Sequence, residues 1–225
     1  MRPQRMPNGR LVLAAAAVAA AAAVTAGCAG GPGATASTTQ NTGLVHIDVS
    51  KYRGRVVTPP KRKPGIVLTD TGGHRYDFLA RTAGKVTLLF FGYTHCPDEC
   101  PTTMSSTAVA LRDLRPAGRA RIRVVFVTVD PARDTGPVLR RWLDRFNPAF
   151  TGLTGTLAAI AAAADAAGIP IGGPVRQPDG SYTLDHGTEM LAFTPDNRAR
   201  LAFFPSTSPA DMAHDLKLLV TGQHP

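Results

Sequence analysis

Unbroken apolar runs alternate with segments of mixed polarity along most of this chain. The runs at residues 85–91 and 122–129 have the length and the β-branched and aromatic content of strands buried on both faces. Shorter apolar segments predict further strands at residues 45–49, 66–68, 74–78, 182–184, 190–194 and 199–204. Turns are predicted at residues 70–73 and 196–197, and the proline-rich segment 59–65 is predicted to be a loop.

Helices are predicted between these strands, at residues 100–114, 136–146, 155–167 and 209–220. Ser208 is placed to cap the last of them, and Pro209 suits its first turn. A strand, a helix and a strand, followed by helices and a terminal hairpin plus helix, is the order of a thioredoxin-like α/β fold. We therefore predict a central mixed sheet flanked by helices, with an extra N-terminal hairpin at residues 66–78.

The first 43 residues differ in composition from the rest. Three arginines in residues 1–10 precede a run of apolar or small residues at 11–27, the pattern of a signal peptide, although a run of this length could also be an uncleaved anchor. The segment Val24-Thr25-Ala26-Gly27-Cys28 resembles a bacterial lipobox, with Thr25 where leucine is usual. We expect a lipoprotein signal peptide at 1–27, lipidation of Cys28, a flexible tether to residue 43, and a folded domain at 44–223.

Charge narrows the possible partners. The formal net charge of the 225 residues is +9, and removal of the N-terminal arginines would leave about +6. The Lys and Arg residues are scattered and lack the interleaved aromatic residues that would support base stacking, so we expect no nucleic-acid partner. Attraction to anionic lipid headgroups explains the same charge more simply. The signal-peptide pattern and the lipobox-like segment ending at Cys28 predict a location on the outer face of the bacterial cytoplasmic membrane, held by a lipid anchor.

Two cysteines directly follow the first buried strand. Cys96 and Cys100 are separated by three residues, and Asp98, Glu99 and Pro101 suit the first turn of a helix. If the helix has begun by Cys96, the two thiols lie one turn apart on one face, about 6 Å along the axis. Such a pair could close a disulfide or bind one metal ion, and a helix N-terminus favours the thiolate that both reactions need.

Several motifs together resemble the SCO/SenC family over roughly residues 45–220. They are Gly84-Lys85, Phe91-Gly92-Tyr93-Thr94-His95-Cys96-Pro97-Asp98-Glu99-Cys100-Pro101, Val129-Asp130-Pro131-Ala132-Arg133-Asp134-Thr135, Leu153-Thr154-Gly155 and Asp185-His186. The resemblance implies a thioredoxin-like domain, anchored at a membrane, that binds copper and helps to assemble the copper centre of cytochrome c oxidase. It also implies a partner, the copper-accepting subunit of that oxidase.

The resemblance implies that Cys96, Cys100 and His186 are the copper ligands. Two thiolates and an imidazole suit Cu(I), with Cu(II) also feasible, whereas a structural zinc site would need a fourth ligand. The chain departs from the family pattern at Gly187, where serine is usual, and at Glu99, where an apolar residue is common. We expect the support of the imidazole and the metal affinity to differ accordingly.

Other assignments remain open for residues near these motifs. The two cysteines could form only a structural disulfide, although so short a loop stabilises little. Met104 is expected to pack in the core rather than to bind metal, and His95 to point away from Cys96. Asp130 and Asp134 are expected to cap the following helix, with support of the site as the alternative. Phenylalanines 90, 91, 126, 193 and 203 are core candidates.

Three functions compete for the cysteine pair. The favoured one is a metallochaperone that delivers or prepares copper for the oxidase, and such a protein is not an enzyme in the usual sense. The second is a thiol–disulfide oxidoreductase that reduces the cysteines of the apo-oxidase subunit, with Cys96 and Cys100 as the catalytic pair. Thioredoxin-type catalysts have two residues between the cysteines, whereas this chain has three. The third is a peroxidase, for which we find no arginine to activate the substrate.

Overall fold

A computed structural model of the chain describes residues 51–225. The predicted signal peptide, the lipidation of Cys28, the tether and the strand at 45–49 lie outside the described residues and stay predictions. Within the described part, no helix is both long enough and apolar enough to span a membrane.

The described residues form ten strands and six helices. The strands are β1 Arg55–Arg62, β2 Val67–Asp70, β3 Arg75–Asp77, β4 Val86–Gly92, β5 Ile122–Thr128, β6 Thr151–Thr154, β7 Ile171–Arg176, β8 Tyr182–His186, β9 Met190–Phe193 and β10 Arg198–Phe203. The helices are α1 Phe78–Arg81, α2 Glu99–Arg112, α3 Pro116–Arg119, α4 Gly136–Asp144, α5 Leu157–Ala167 and α6 Pro209–Val220.

Eight of these strands form one mixed sheet in the order β1-β10-β9-β4-β5-β6-β2-β3. The strands β4, β5 and β6 run parallel to one another, and the remaining neighbours are antiparallel. Strands β7 and β8 pair only with each other, as a separate hairpin. The N-terminal hairpin β2–β3 extends the sheet beyond β6. The predicted thioredoxin-like α/β fold with this extra hairpin is confirmed.

The core lies on both faces of the central strands. Every residue of β4 is buried, as is every residue of β5 except Arg123, which explains why both strands read as continuous apolar runs. The five phenylalanines predicted for the core, at 90, 91, 126, 193 and 203, are all buried. Met104 is fully buried among them on the inner face of α2, which confirms its expected packing role.

The prediction of a loop at residues 59–65 is wrong for residues 59–62, whereas residues 63–65 lie outside any strand or helix. Residues 55–62 form the edge strand β1, and its pairing with β10 shifts register between Val56 and Lys61, around Pro59 and Pro60. An edge strand tolerates prolines because its outer side forms no ladder hydrogen bonds. On its inner side, the register shift interrupts the ladder where a proline could not donate. The strands β6 and β7 and the short helices α1 and α3 were not anticipated. Most other segments agree to within a few residues, and Ser208 caps α6 by accepting a bond from the Asp211 backbone at 3.1 Å.

Candidate metal centre

The two motif cysteines lie where β4 ends and α2 begins, at the carboxyl ends of the parallel strands. The helix starts at Glu99 with Asp98 as its N-cap, so Cys96 precedes the helix and lies in a turn closed by its amide on the Tyr93 carbonyl at 3.3 Å. The helix therefore does not extend back to Cys96, the condition on which the expected one-turn spacing of the thiols depends. Cys100, in the first turn, is fully buried, whereas Cys96 is partly exposed, and both are free thiols.

His186 completes the group from a distant part of the chain. It is the last residue of β8, and its Nε2 lies 3.4 Å from Sγ of Cys100. One donor atom from each of Cys96, Cys100 and His186 lies within 4.8 Å of the other two. The structure therefore brings together the three residues that the family resemblance implied as ligands.

The imidazole of His186 is fixed from two sides. Its Nδ1 lies 2.9 Å from the Gly187 carbonyl oxygen, an acceptor that holds a proton on Nδ1 and leaves Nε2 facing the thiols. The rings of Phe90 and Tyr93 each meet it edge to face at a centroid distance of 5.8 Å. The orienting bond comes from the backbone of Gly187, so the absence of the family's usual serine does not leave the imidazole unsupported.

The two thiols differ strongly in acidity. The thiol of Cys100 donates a hydrogen bond to Cys96, and with further bonds from His186 and from the Cys100 backbone amide this lowers the pKa of Cys96 from 9.0 to about 4, although burial opposes the shift. The same bond to Cys96, together with burial, raises the pKa of Cys100. Burial lowers the pKa of His186, but its bonds to Cys96 and Gly187 outweigh this and the pKa is raised. The metal-free site thus holds one thiolate, on Cys96, and one buried thiol.

Contacts to the body of the domain set the position of the hairpin that carries His186. The hydroxyl of Tyr182 donates to Asp130 at 3.0 Å, and the guanidinium of Arg133 lies 3.6 Å from the centre of the Tyr182 ring. Arg133 also forms a close ion pair with Asp130 and donates to the Tyr182 carbonyl at 3.3 Å. On the other side, the Leu184 amide donates to the Tyr93 hydroxyl at 3.3 Å. Because β7 and β8 pair only with each other among the described strands, these contacts take the place of sheet hydrogen bonds.

The expectation that Asp130 and Asp134 cap the next helix is wrong. Helix α4 begins at Gly136 after Thr135, whose side chain makes no capping bond. Asp134 is fully buried and accepts from the Thr94 amide at 2.9 Å and from the Thr94 and Thr128 hydroxyls at 2.6 Å each. It fixes the segment just before Cys96, whereas Asp130 holds the hairpin through Tyr182. Both acids therefore support the residues that carry the donor atoms, which is the alternative role named in the sequence analysis.

Gly92 allows the close approach of Cys100 to the end of β4. A Cβ atom at residue 92 would lie 2.8 Å from the Sγ of Cys100 and 2.8 Å from the Phe90 ring. Gly187 is similarly enclosed, since a Cβ there would lie 2.9 Å from Ile169 and 3.1 Å from Pro170. The glycine that replaces the family's usual serine therefore fits its surroundings in this chain.

The donor group opens to solvent through a shallow cleft of about 230 Å³. Three acidic residues line it, Asp98, Glu99 and Asp185, and no Lys or Arg does. His95 does not face the donors, because its Nδ1 lies 3.0 Å from the Thr94 hydroxyl and 3.8 Å from Asp134. The expectation that His95 points away from Cys96 is confirmed.

Sequence reasoning missed Tyr93, Arg133 and Tyr182 as functional residues. The first two were part of the quoted motifs, but nothing in a linear pattern shows that they contact a hairpin some 50 to 90 residues further along. Only the tertiary structure reveals that these side chains bring His186 to the thiols.

The donor set is suited to a soft metal ion. Two sulfur atoms and one imidazole nitrogen match the preference of Cu(I), and no fourth protein ligand joins them among the described residues. The backbone amide of Cys100, at the helix N-terminus, lies 3.4 Å from the Sγ of Cys96 and stabilises negative charge there. The same arrangement, with an exposed thiolate beside a buried thiol, also suits thiol–disulfide exchange.

Comparisons with known proteins agree on one family. The profile of the SCO1/SenC family matches residues 65–221. A curated protein of Stutzerimonas stutzeri, described as copper-binding, is 35% identical over 117 residues, which cover 52% of this chain and 57% of that one. The chain spans about half the length of the curated relatives it matches.

Solved structures extend the likeness to the fold. ScoI of Bradyrhizobium japonicum, solved with copper bound, is 34% identical with a TM-score of 0.63, covering 71% of this chain and 99% of that one. BsSco is 19% identical with a TM-score of 0.54, covering 73% of this chain and 98% of that one, and shows the fold alone. The BsSco structure is described as revealing a disulfide switch in a member of the Sco family of cytochrome c oxidase assembly proteins.

Proposed function

Since this chain belongs to the SCO1/SenC family, we propose that it binds one copper ion through Cys96, Cys100 and His186 and delivers or prepares copper for assembly of the copper centre of cytochrome c oxidase. The observation that carries the proposal is the convergence of two thiols and an imidazole, all within 4.8 Å, at the mouth of a solvent-open cleft. The copper-bound relative supports the choice of metal.

The site is suited to release as well as to binding. Three soft ligands satisfy Cu(I) but leave room for an incoming ligand from a protein acceptor, whereas a closed four-ligand site would hold its ion. Cys96 and His186 line the cleft, whereas Cys100 is fully buried. An acceptor can therefore approach the cargo from the cleft without displacing α2.

The family and the sequence also support a partner and a location. Membership of the SCO1/SenC family supports the copper-accepting subunit of cytochrome c oxidase as the acceptor, since the BsSco description names the Sco family as cytochrome c oxidase assembly proteins. The apolar segment 11–27 and Cys28 support anchoring on the outer face of the cytoplasmic membrane through a lipidated cysteine. We propose this location together with the function, and it predicts labelling of Cys28 by lipid precursors in cells.

Thiol–disulfide exchange is the second candidate, and the unequal acidity of the two thiols favours it. The Cys96 thiolate would attack a disulfide of the apo-subunit, forming a mixed disulfide and releasing one subunit thiolate. Cys100 would then lose its proton and attack the mixed disulfide, releasing the second subunit thiol. The protein ends oxidised, with a Cys96–Cys100 disulfide, and the subunit ends reduced by two electrons.

One pair of assays separates the two functions. The copper-loaded protein is mixed with the reduced copper-accepting domain of the oxidase to measure transfer, and the reduced protein with its oxidised form to measure thiol release. His186→Ala should lose copper transfer and keep disulfide reduction, and Cys100→Ser should lose both. His95→Ala is the matched control, since its imidazole adjoins Cys96 in sequence but faces Thr94. A parent protein that reduces the acceptor without transferring copper would overturn the carrier function.

A further inference from the structure

One cluster of positive charge lies at the end of the domain opposite the metal centre. The parallel strands β4 and β5 both begin there, with Val86 paired to Ile122, and α2 ends there. Lys85 precedes β4 and Arg121 precedes β5, and the Lys85 ammonium lies 3.4 Å from the Ala120 carbonyl oxygen. The surface, called here the basic end, consists of Lys85, Arg112, Arg115, Arg119, Arg121 and Arg123.

The charge of the basic end is largely uncompensated. Residues 112–123 contain five arginines and one carboxylate, Asp113, which lies 2.8 Å from Lys217. Within residues 51–225, the side chains of Arg115, Arg119 and Arg121 make no hydrogen bond or ion pair, and Arg115 and Arg121 are exposed. Cations left without protein partners on one surface create a potential that attracts a polyanionic partner.

The shape of the basic end suits phospholipid headgroups. A shallow cleft of about 530 Å³ is lined by three cations, one carboxylate and apolar side chains, namely Arg115, Arg121, Lys217, Asp113, Leu114 and Val220. A second cleft of about 430 Å³ contains Arg119 and Arg123. Aromatic side chains line neither cleft, so the surface lacks the stacking platforms that single-stranded nucleic acid would need.

The first described residue also lies near the basic end. Lys51, the first described residue, donates a hydrogen bond to Gln223, and Gln223 follows closely on Thr221, which lines the Arg121 cleft.

We propose that the basic end docks on a membrane surface rich in anionic phospholipid and so turns the metal centre away from the bilayer. Each Lys or Arg near an anionic leaflet contributes about 1 kcal/mol of attraction, which corresponds to roughly fivefold in binding. The interaction acts over about a Debye length, so it orients a domain that is already near the surface. Docking is independent of copper binding and of lipidation, and its failure would leave the proposed function untouched.

The test uses residues 51–225 alone, so that no lipid or N-terminal segment contributes. This fragment contains all ten strands and six helices of the described domain, and circular dichroism checks that it is folded before vesicles are added. Binding is measured by co-sedimentation with vesicles of phosphatidylglycerol and phosphatidylcholine, beside pure phosphatidylcholine, at low and at high salt. We expect binding to the anionic vesicles alone, and loss of that binding at high salt.

Charge variants locate the interaction. The triple variant Arg115→Gln, Arg119→Gln, Arg121→Gln should weaken vesicle binding on the order of 100-fold, since three cations are removed. A matched triple variant, Arg53→Gln, Arg75→Gln, Arg176→Gln, removes the same charge from exposed positions elsewhere and should bind nearly as well as the parent. An equal loss of vesicle binding in both triple variants would overturn the proposal. So would a parent fragment that binds duplex DNA but does not bind anionic vesicles.

Discussion

At the scale of single residues, the chemistry of the centre rests on the contrast between an exposed thiolate and a buried thiol. Cys96 and Cys100 are chemically identical in the sequence, and their different burial and hydrogen bonding make one a nucleophile and the other a protected donor. The sequence predicts the pair and the effect of the helix start. It does not reveal which thiol is ionised, because this depends on how deeply the first turn of α2 sits against β4.

The metal-free protein should therefore be alkylated first at Cys96, with a flat pH profile. The pKa of Cys96 is lowered from 9.0 to about 4, so the thiolate is present above that value and is lost only as the pH falls through it. The rate of Cys96 alkylation by iodoacetamide, followed by mass spectrometry, should stay nearly constant between about pH 5 and pH 8. The alkylation rate of an ordinary thiol rises about tenfold per pH unit over this range. Cys96→Ser should leave Cys100 nearly unreactive. A rate at Cys96 that rises with pH like that of a free thiol would contradict this assignment.

Gly92 provides a test of the packing around Cys100. In Gly92→Ala the new methyl group would lie 2.8 Å from the Cys100 sulfur. Either Cys100 must therefore shift or β4 must bend. Overpacking of this kind destabilises a fold by about 1–3 kcal/mol, which chemical denaturation measures. Gly173→Ala is the control, because its Cβ would meet nothing within 4 Å. If the two variants unfold at the same denaturant concentration, the close packing is not required.

At the scale of elements, the hairpin β7–β8 is the part that local pattern describes least well. The apolar alternation in β8 predicts a strand, but β7 contains Gly172, Gly173 and Pro174 and gives no strand signal. The strand β1 is also missed by local pattern, because its two prolines indicate a loop. Its pairing with β10 becomes clear only from the register shift at the sheet edge. Strands that are buried on both faces are predictable, whereas edge strands and isolated hairpins depend on tertiary contacts.

Loss of one hairpin contact should weaken metal binding more than it weakens the fold. Tyr182→Phe removes the hydroxyl that donates to Asp130 at 3.0 Å while keeping the ring beneath Arg133. A net loss of about 0.5–1.5 kcal/mol is expected for one hydrogen bond, or roughly two- to tenfold in copper affinity measured by competition with a chelator. Tyr76→Phe is the matched control, because it removes a buried hydroxyl at the far edge of the sheet. Equal copper affinity in Tyr182→Phe and the parent would show that the contact does not position His186.

At the scale of the whole molecule, the thioredoxin-like sheet separates two surfaces of opposite character. The carboxyl ends of the parallel strands carry the donor group and an acidic cleft, and their amino ends carry the basic end. The order of strands and helices in the sequence predicts the fold class, because strand and helix periodicities are clear in the central elements. The meeting of His186 with cysteines some 90 residues earlier could be inferred from the family resemblance but not from any local pattern.

The most direct test of the account is the copper stoichiometry of the reduced domain, loaded anaerobically with Cu(I) and freed of loosely held metal by a chelator. The parent should retain one copper per chain, and Cys96→Ser, Cys100→Ser and His186→Ala should each lose it or hold it far more weakly, since each removes one of three ligands. His95→Ala should bind as the parent does. A parent that retains no copper while its thiols remain reactive would contradict the central claim and leave thiol–disulfide exchange as the function of the site.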